Sequence, residues 1–172
     1  DKSLVYSSSI VMDKKFNQSS YYHLKPMNGL DTDSFKPLSN DAYKSLYYTD
    51  KNGVYFENYS ISSLGEDTMS LDKINGADKT TFQVIGLCGF KGALSYAKDK
   101  YHVYDGLNIV EGVDVATFEL VGDFSEGAGV YCVTKDKNCI YNGNEKALDA
   151  NGLCINPINC TRDNLASSCG FK

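Results

Sequence analysis

The sequence contains no tryptophan, only 3 prolines and no long apolar segment. A membrane-spanning helix needs roughly 18 or more consecutive apolar residues, so we predict no membrane span in this chain. The net charge of −5 disfavours nucleic acid as a partner, because phosphate backbones bind clustered Lys and Arg. The same charge disfavours a polybasic contact with a membrane surface.

Catalytic motifs are also missing. The sequence has no GxSxG nucleophile elbow, no HExxH motif, no glycine-rich phosphate loop and no CxxC redox pair. Its two histidines, His23 and His102, lie in tyrosine-rich segments typical of half-buried strands. We therefore predict that the protein is not an enzyme and has no catalytic residues, no metal site and no cofactor. Two separated carboxylates acting as a glycosidase pair remain an alternative.

The abundant residues favour a β-rich fold. The 13 tyrosines suit half-buried strands, and 15 glycines fit many tight turns. The first ten residues, DKSLVYSSSI, lack the charged and apolar segments of a secretory signal. We interpret the chain as mature or trimmed, which leaves open a signal peptide or lipid anchor before Asp1.

Six cysteines, five of them in the last 41 residues, indicate disulfides formed in an oxidising compartment. We therefore expect a secreted, periplasmic or cell-surface protein. A zinc site is the alternative, but no CxxC pair exists and both histidines lie far from the cysteine cluster in sequence. A two-residue loop at Lys135-Asp136 would place Cys132 opposite Cys139, close enough to bridge in a non-hydrogen-bonded pair. A turn one residue later is the alternative, and that register would break this pairing. The disulfide candidates are Cys88, Cys132, Cys139, Cys154, Cys160 and Cys169.

A short pattern, DKxx[VI]Y, occurs four times. It reads DKSLVY, DKNGVY, DKYHVY and DKNCIY, and its starts are separated by 49, 49 and 37 residues. In LYYTDKNGVYF the polar turn residues lie between apolar or aromatic ones, which predicts a β-hairpin. We call these the DK elements; they begin at Asp1, Asp50, Asp99 and Asp136.

A second pattern, GxDxx[ST]F, follows each of the first three DK elements. It begins at Gly29, Gly76 and Gly112, which lie 28, 26 and 13 residues after the DK start. The third copy is therefore the minimal unit, and the first two carry insertions of about a dozen residues. The offset of 13 in the fourth copy gives DANGLCI from Asp149, a decayed version typical of a terminal cap.

Each recurrent residue type has a structural interpretation. An aspartate followed by Ser or Thr three residues later resembles an N-cap on one helical turn. Calcium binding by the aspartates and a tyrosine ladder for a glycan or peptide (Tyr6, Tyr55, Tyr104, Tyr141) are the functional alternatives. The predicted turn and cap residues are Asp1, Asp50, Asp99, Asp136, Asp31, Asp78 and Asp114. The predicted core anchors are Phe35, Phe82, Phe118, Tyr55, Tyr104 and Tyr141.

The combination of DKNxVY with GADxxTF resembles the DKNYY-type repeat family of bacterial secreted proteins and lipoproteins. The minimal third copy, Tyr96 to Gly122, carries the resemblance most fully, and roughly residues 1 to 155 take part in it. The resemblance implies a secreted repeat protein and implies no particular activity. The insertions and the cysteine-rich end depart from the family pattern, and residues 156–172 are not covered.

These observations predict a mainly β fold of about four tandem β-hairpin units with short helical turns and a disulfide-stapled C-terminal tail. The predicted units are residues 1–49, 50–98, 99–135 and 136–155, followed by the tail 156–172. We expect a non-enzymatic extracytoplasmic protein that binds or scaffolds a protein or surface glycan, or associates with itself. A filament or pilus-like subunit is one alternative, and a secreted hydrolase or hydrolase inhibitor is another.

Overall fold

The structure, a computed structural model, describes residues 29–38, 46–61, 67–88, 94–126, 129–164 and 169. Within these ranges it contains twelve β-strands and two three-residue 3-10 helices, so the prediction of a mainly β fold is confirmed. Neither helix is long and apolar enough to cross a membrane. Asp1, Tyr6 and His23 lie outside the described residues.

The strands form three antiparallel sheets, and each sheet has its four strands in chain order. Sheet 1 consists of β1 (Lys36–Pro37), β2 (Tyr47–Asp50), β3 (Gly53–Ile61) and β4 (Asp67–Lys73). Sheet 2 consists of β5 (Gln83–Cys88), β6 (Leu94–Lys98), β7 (Val103–Asp105) and β8 (Asn108–Ile109). Sheet 3 consists of β9 (Glu119–Glu126), β10 (Gly129–Lys135), β11 (Ile140–Asn142) and β12 (Glu145–Lys146).

The chain divides into two compact units. The N-terminal unit, Asp1–Gly76, contains sheet 1, and the C-terminal unit, Ala77–Lys172, contains sheets 2 and 3. The two 3-10 helices, Pro157–Asn159 and Arg162–Asn164, belong to the tail of the C-terminal unit.

The three DK elements that the structure describes each form the tight turn between the second and third strands of a sheet. Asp50 pairs with Gly53 in sheet 1, Lys98 with Val103 in sheet 2, and Lys135 with Ile140 in sheet 3. Boundaries placed at residues 50, 99 and 136 therefore each divide a sheet between its central strands. Counting from one GxDxx[ST]F element to the next keeps every sheet whole, and the described residues form three sheets where the sequence suggested about four units.

The insertion predicted in the second unit lies in the last hairpin of sheet 1. Strands β3 and β4 pair over seven positions, from Tyr55 opposite Lys73 to Ile61 opposite Asp67. The corresponding strands of sheets 2 and 3 pair over two positions. The extra residues lengthen the end of the hairpin that points away from the DK turn.

Two apolar clusters of described residues lie in the core of the C-terminal unit. The first cluster contains residues of both sheets, among them Tyr96 and Val103 of sheet 2 and Tyr141 of sheet 3. The second cluster packs Val133 and Ile140 of sheet 3 against cysteines of the tail. One face of sheet 3 therefore packs against sheet 2, and its other face is covered by the tail.

Three disulfides connect all six cysteines: Cys88–Cys132, Cys139–Cys154 and Cys160–Cys169. The proposed bridge between Cys132 and Cys139 is wrong. Because Lys135 pairs with Ile140, the turn is centred two residues later than that bridge requires, and Cys132 and Cys139 are bonded to Cys88 and Cys154 instead. The first disulfide joins sheets 2 and 3, and the last lies within the tail. The tail is thus stapled, as predicted.

Candidate binding surface at the repeated turns

The aspartate of each described DK element (Asp50, Asp99 and Asp136) accepts four hydrogen bonds. In sheet 2, Oδ1 of Asp99 accepts from the backbone N–H groups of Tyr101 at 2.7 Å and His102 at 2.8 Å. Its Oδ2 accepts from the hydroxyl of Tyr104 and from the backbone N–H of Asp78, both at 2.8 Å. Since Asp99 is 3% exposed, these bonds replace most of its hydration.

The same four kinds of donor surround the other two aspartates. Around Asp50 they lie at 2.6–3.0 Å, and around Asp136 they lie at 2.7–2.9 Å. Two donors come from the turn that follows the aspartate, one is the tyrosine five residues later, and one is the backbone of the preceding GxDxx[ST]F element. Each carboxylate therefore joins two separate chain segments.

The GxDxx[ST]F elements form single turns capped by their own aspartate. In the third copy, Oδ1 of Asp114 accepts from the N–H of Thr117 at 3.1 Å and from its hydroxyl at 2.7 Å. The Thr117 hydroxyl oxygen in turn accepts from the N–H of Lys137 at 3.0 Å. The Lys137 ammonium lies 2.7 Å from Oδ2 of Asp114. Asp31 pairs with Lys51 and Asp78 with Lys100 in the same way.

These contacts define three clasps, each of which joins a GxDxx[ST]F turn to the next DK turn. Clasp 1 consists of Asp31, Ser34, Asp50, Lys51 and Tyr55. Clasp 2 consists of Asp78, Thr81, Asp99, Lys100 and Tyr104. Clasp 3 consists of Asp114, Thr117, Asp136, Lys137 and Tyr141. The six predicted turn and cap aspartates that the structure describes thus meet in pairs.

Sequence reasoning missed this pairing, although a signal for it exists. The distance from a DK element forward to the following GxDxx[ST]F element varies from 28 to 13 residues. The distance from each described DK aspartate back to the GxDxx[ST]F aspartate that it binds is nearly constant, at 19, 21 and 22 residues. The near-constant spacing and the invariant lysine after each DK aspartate both indicate this partner.

The clasps hold their ionisable groups in one protonation state. Burial raises the pKa of Asp99, but the N–H groups of Asp78 and Tyr101 and the Tyr104 hydroxyl outweigh it, so the pKa lies below its ordinary value of 3.8. Hydrogen bonds from Thr80, first its hydroxyl and then its N–H, and from Lys100 lower the pKa of Asp78 to about 2. Burial and the hydrogen bond to Asp50 raise the pKa of Tyr55 to about 12.

The predicted core anchors line these clasps. Tyr55, Tyr104 and Tyr141 are at most 5% exposed. The ring of Phe82 lies 5.4 Å from that of Tyr104, and the ring of Phe118 lies 6.3 Å from that of Tyr141. Phe35 is only half-buried and stacks on Tyr48 at 5.3 Å instead of on a clasp tyrosine. The three tyrosine hydroxyls donate to aspartates, which leaves the rings buried instead of displayed as a ladder.

Two open clefts follow the turns of the C-terminal unit. The smaller has a volume of about 340 Å³ and is lined by Thr81, Gln83, Lys98, Asp99, Lys100, Val115 and Ala116. The larger has a volume of about 590 Å³ and is lined by Lys98, Ala116, Thr117, Phe118, Glu119, Lys135, Asp136, Lys137, Pro157 and Ile158. Lys98 and Ala116 line both, so the clefts form one continuous surface.

The carboxylates of the larger cleft are engaged. Asp136 makes the four hydrogen bonds of its clasp, and Glu119 lies 3.2 Å from the Lys135 ammonium. In the part of the chain that the structure describes, no three His, Cys, Asp or Glu side chains are grouped to hold a metal ion. The arrangement offers backbone, lysine and apolar contacts to a bound molecule.

The fourth GxDxx[ST]F-like turn lies five residues later than the sequence alignment placed it. The sequence offset of 13 residues places Asn151 where Asp114 stands and Ile155 where Phe118 stands. In the structure, Oδ1 of Asp149 accepts from the N–H groups of Asn151 at 2.8 Å and Leu153 at 2.9 Å, which is a turn of the DK kind. The capped turn follows at Asn156, whose side chain accepts from the Ile158 N–H at 3.0 Å.

Comparison with known proteins finds a family model that matches part of this chain. Residues 14–71 match the model of the DKNYY family, and this supports a DKNYY-type assignment. The matched segment contains the first GxDxx[ST]F turn and the DK turn at Asp50. No curated protein and no solved structure matches the chain.

Proposed function

We propose that this chain, of the DKNYY type, is a non-enzymatic extracytoplasmic protein that binds or scaffolds a partner along the clefts at its turns. The observation that carries the proposal is the engagement of the recurrent aspartates. Asp50, Asp99 and Asp136 are buried, and each is hydrogen-bonded four times. A carboxylate bound in this way neither accepts nor supplies a proton near neutral pH, because its pKa is held below the ordinary range.

The disulfides support a location outside the reducing cytoplasm. Three bridges among six cysteines indicate an oxidising compartment. Within the proposal the protein is secreted, periplasmic or attached to the cell surface, and its partner is a protein or a surface glycan. A bacterial source and an array of repeated units fit the same proposal.

The clefts support binding more than catalysis. They are shallow and open, they adjoin one another, and lysines and small apolar side chains line them beside clasped carboxylates. An extended peptide or an oligosaccharide can contact both clefts through Lys98 and Ala116. Enzyme sites, in contrast, usually enclose a small ligand and present a free acid or base.

Binding to a printed oligosaccharide array and to a library of extended peptides tests the proposal. Replacing the exposed wall residue, Ala116→Trp, fills both clefts without entering the core, and we expect at least a ten-fold loss of affinity. The matched control is Glu111→Trp, an exposed turn position that lines neither cleft, and its affinity should equal that of the wild type.

The same proteins are assayed for hydrolysis of model glycoside, ester and peptide substrates. We expect no turnover above the uncatalysed rate. Turnover that Glu119→Gln abolishes would show that the cleft is an active site. In the binding assay, equal affinities of Ala116→Trp and Glu111→Trp would show that the binding surface lies elsewhere.

A further inference from the structure

We infer that residues 154–164 and Cys169, the described part of the tail with the two residues before it, imitate a following GxDxx[ST]F turn and close an interface on sheet 3 that otherwise takes a repeat from a second copy of this chain. The inference goes beyond the proposed function, since it concerns the face of sheet 3 that the tail covers and does not depend on the ligand of the clefts. It rests on four equivalences between sheet 2 and sheet 3.

The first equivalence concerns two lysines. Lys98 is the last residue of β6, and its ammonium donates to the carbonyl oxygens of Val115 at 3.2 Å and Phe118 at 3.1 Å in the next turn. Lys135 is the last residue of β10, the corresponding strand, and its ammonium donates to the carbonyl oxygen of Cys160 at 2.7 Å. The lysine of sheet 3 thus holds the tail as the lysine of sheet 2 holds a turn.

The second equivalence concerns the turn itself. Asp114 caps its turn by accepting from a backbone N–H, and Asn156 caps the 3-10 turn Pro157–Asn159 in the same way. Four residues after its cap, each turn ends on a buried side chain: Phe118 is 2% exposed and Cys160 is 0% exposed. The sequence NPINC therefore occupies the place that DVATF occupies one unit earlier.

The third equivalence concerns the covered face. Tyr96, Val103 and Val110 of the sheet 2 region pack against residues of sheet 3. At the same register positions of the sheet 3 region stand Val133, Ile140 and Ala147, which pack against Cys160, Cys169 and Ile155 of the tail. The disulfide between Cys160 and Cys169 fills the space that a phenylalanine fills in the preceding interface.

The fourth equivalence concerns the clefts. Val115 and Ala116 form the wall of the smaller cleft that comes from the next turn, and Pro157 and Ile158 form that wall in the larger cleft. The opposite walls again correspond, with Lys98 and Asp99 replaced by Lys135 and Asp136. A tail that merely covered apolar surface would not reproduce the position of each wall.

The occupant that this face fits is a turn of the same type. The Lys135 ammonium donates to a backbone carbonyl at the end of a capped turn. Beside that turn, the apolar face formed by Val133 and Ile140 packs against one buried side chain. The GxDxx[ST]F elements of this chain supply both, so a second copy carries the matching segment. With the tail in place, the interface is satisfied within one molecule, and growth through this face stops.

A graft into the full-length chain tests the imitation. In the graft, DVATF replaces residues 156–160 (Asn156→Asp, Pro157→Val, Ile158→Ala, Asn159→Thr, Cys160→Phe) together with Cys169→Ser. The matched control carries the same five residues with the Asp and Phe exchanged. We expect the graft to melt at least 5 °C above the control and no lower than Cys160→Ser/Cys169→Ser. Equal melting of graft and control would overturn the inference.

Self-association tests the docking. Sedimentation equilibrium at rising concentration compares the wild type with Cys160→Ser/Cys169→Ser, which releases the tail and keeps Lys135, and with Lys135→Ala/Cys160→Ser/Cys169→Ser, which also removes the donor to a docked turn. We expect association to strengthen ten-fold or more in the double variant, and to weaken again in the triple variant and when Ala147→Lys places a charge on the face. A double variant that associates no more than the wild type, or a triple variant that associates as strongly as the double variant, would refute a docking surface.

Discussion

Replacing Asp99 by asparagine removes the negative charge at the centre of clasp 2 and leaves its shape unchanged. The amide oxygen of Asn can keep the two turn N–H groups of Tyr101 and His102, and its NH2 can donate to the Tyr104 hydroxyl. The backbone N–H of Asp78, now 2.8 Å from a nitrogen donor, loses its acceptor. The Asp78 N–H is therefore left without an acceptor, and the hydrogen bonds to Tyr101, His102 and Tyr104 no longer involve a charged group.

The magnitude follows from these changes. An unsatisfied buried donor costs about 1–3 kcal/mol, and bonds to a charged group are about twice as strong as neutral ones. We expect Asp99→Asn to lower the free energy of unfolding by roughly 2–4 kcal/mol. For a unit of about 100 residues this corresponds to a fall in Tm of about 10 °C or more. Thermal unfolding at pH 7 measures it, with Glu111→Gln as an exposed control that should leave Tm unchanged.

The pH dependence of the stability difference between wild type and Asp99→Asn tests whether the charge of Asp99 is responsible. Because the pKa of Asp99 is lowered on folding, its contribution is present above the ordinary value of 3.8 and is lost as the pH falls through the folded pKa. The difference between wild type and Asp99→Asn should therefore be constant between pH 5 and 8 and should shrink below about pH 3.8. A difference that is absent at pH 7, or that is unchanged at pH 2, would show that the clasp charge does not stabilise the turn.

Two further predictions concern the tyrosines and the disulfides. Because the pKa of Tyr55 is raised to about 12, its contribution to stability is complete below pH 10 and is lost as the pH rises through about 12. An alkaline titration of phenolate absorbance should show one ionisation near pH 12 that Tyr55→Phe removes, and loss of the ionisation near pH 10 instead would contradict this. Loop lengths of 44, 15 and 9 residues predict losses of about 4, 3 and 2.5 kcal/mol on removing Cys88–Cys132, Cys139–Cys154 and Cys160–Cys169. Urea unfolding of the paired alanine variants measures these losses, and the opposite order would refute the loop-entropy account.

The sequence was sufficient to predict the β fold and the tight turns, because both depend on local chemistry. An aspartate two or three residues before a free N–H caps a turn in almost any surroundings, and alternating apolar residues form strands. The oxidised cysteines were also predictable from their number and position. The long β3–β4 hairpin occurs where the spacing between elements indicated an insertion.

Partners distant in the chain could not be predicted so directly. One of the four bonds to Asp50, Asp99 and Asp136 comes from a segment 19–22 residues earlier, and a local pattern does not show which neighbouring copy supplies it. The register at Asp136 depends on a turn that pairs Lys135 with Ile140, and a shift there reassigns Cys132. The capped turn at Asn156 shares neither the glycine, the aspartate nor the phenylalanine of its counterparts, so only the fold reveals it.

The clasps lie at one end of each sheet, and the hairpins that differ in length lie at the other. The two residues after each clasp lysine vary between copies (Asn-Gly, Tyr-His and Asn-Cys), because the turn bonds to the carboxylate come from backbone groups. Chain length and side chains can therefore change at the free hairpin ends without disturbing the fastened ends. The turns that line the clefts can therefore stay constant while the opposite hairpin ends diverge in length and sequence.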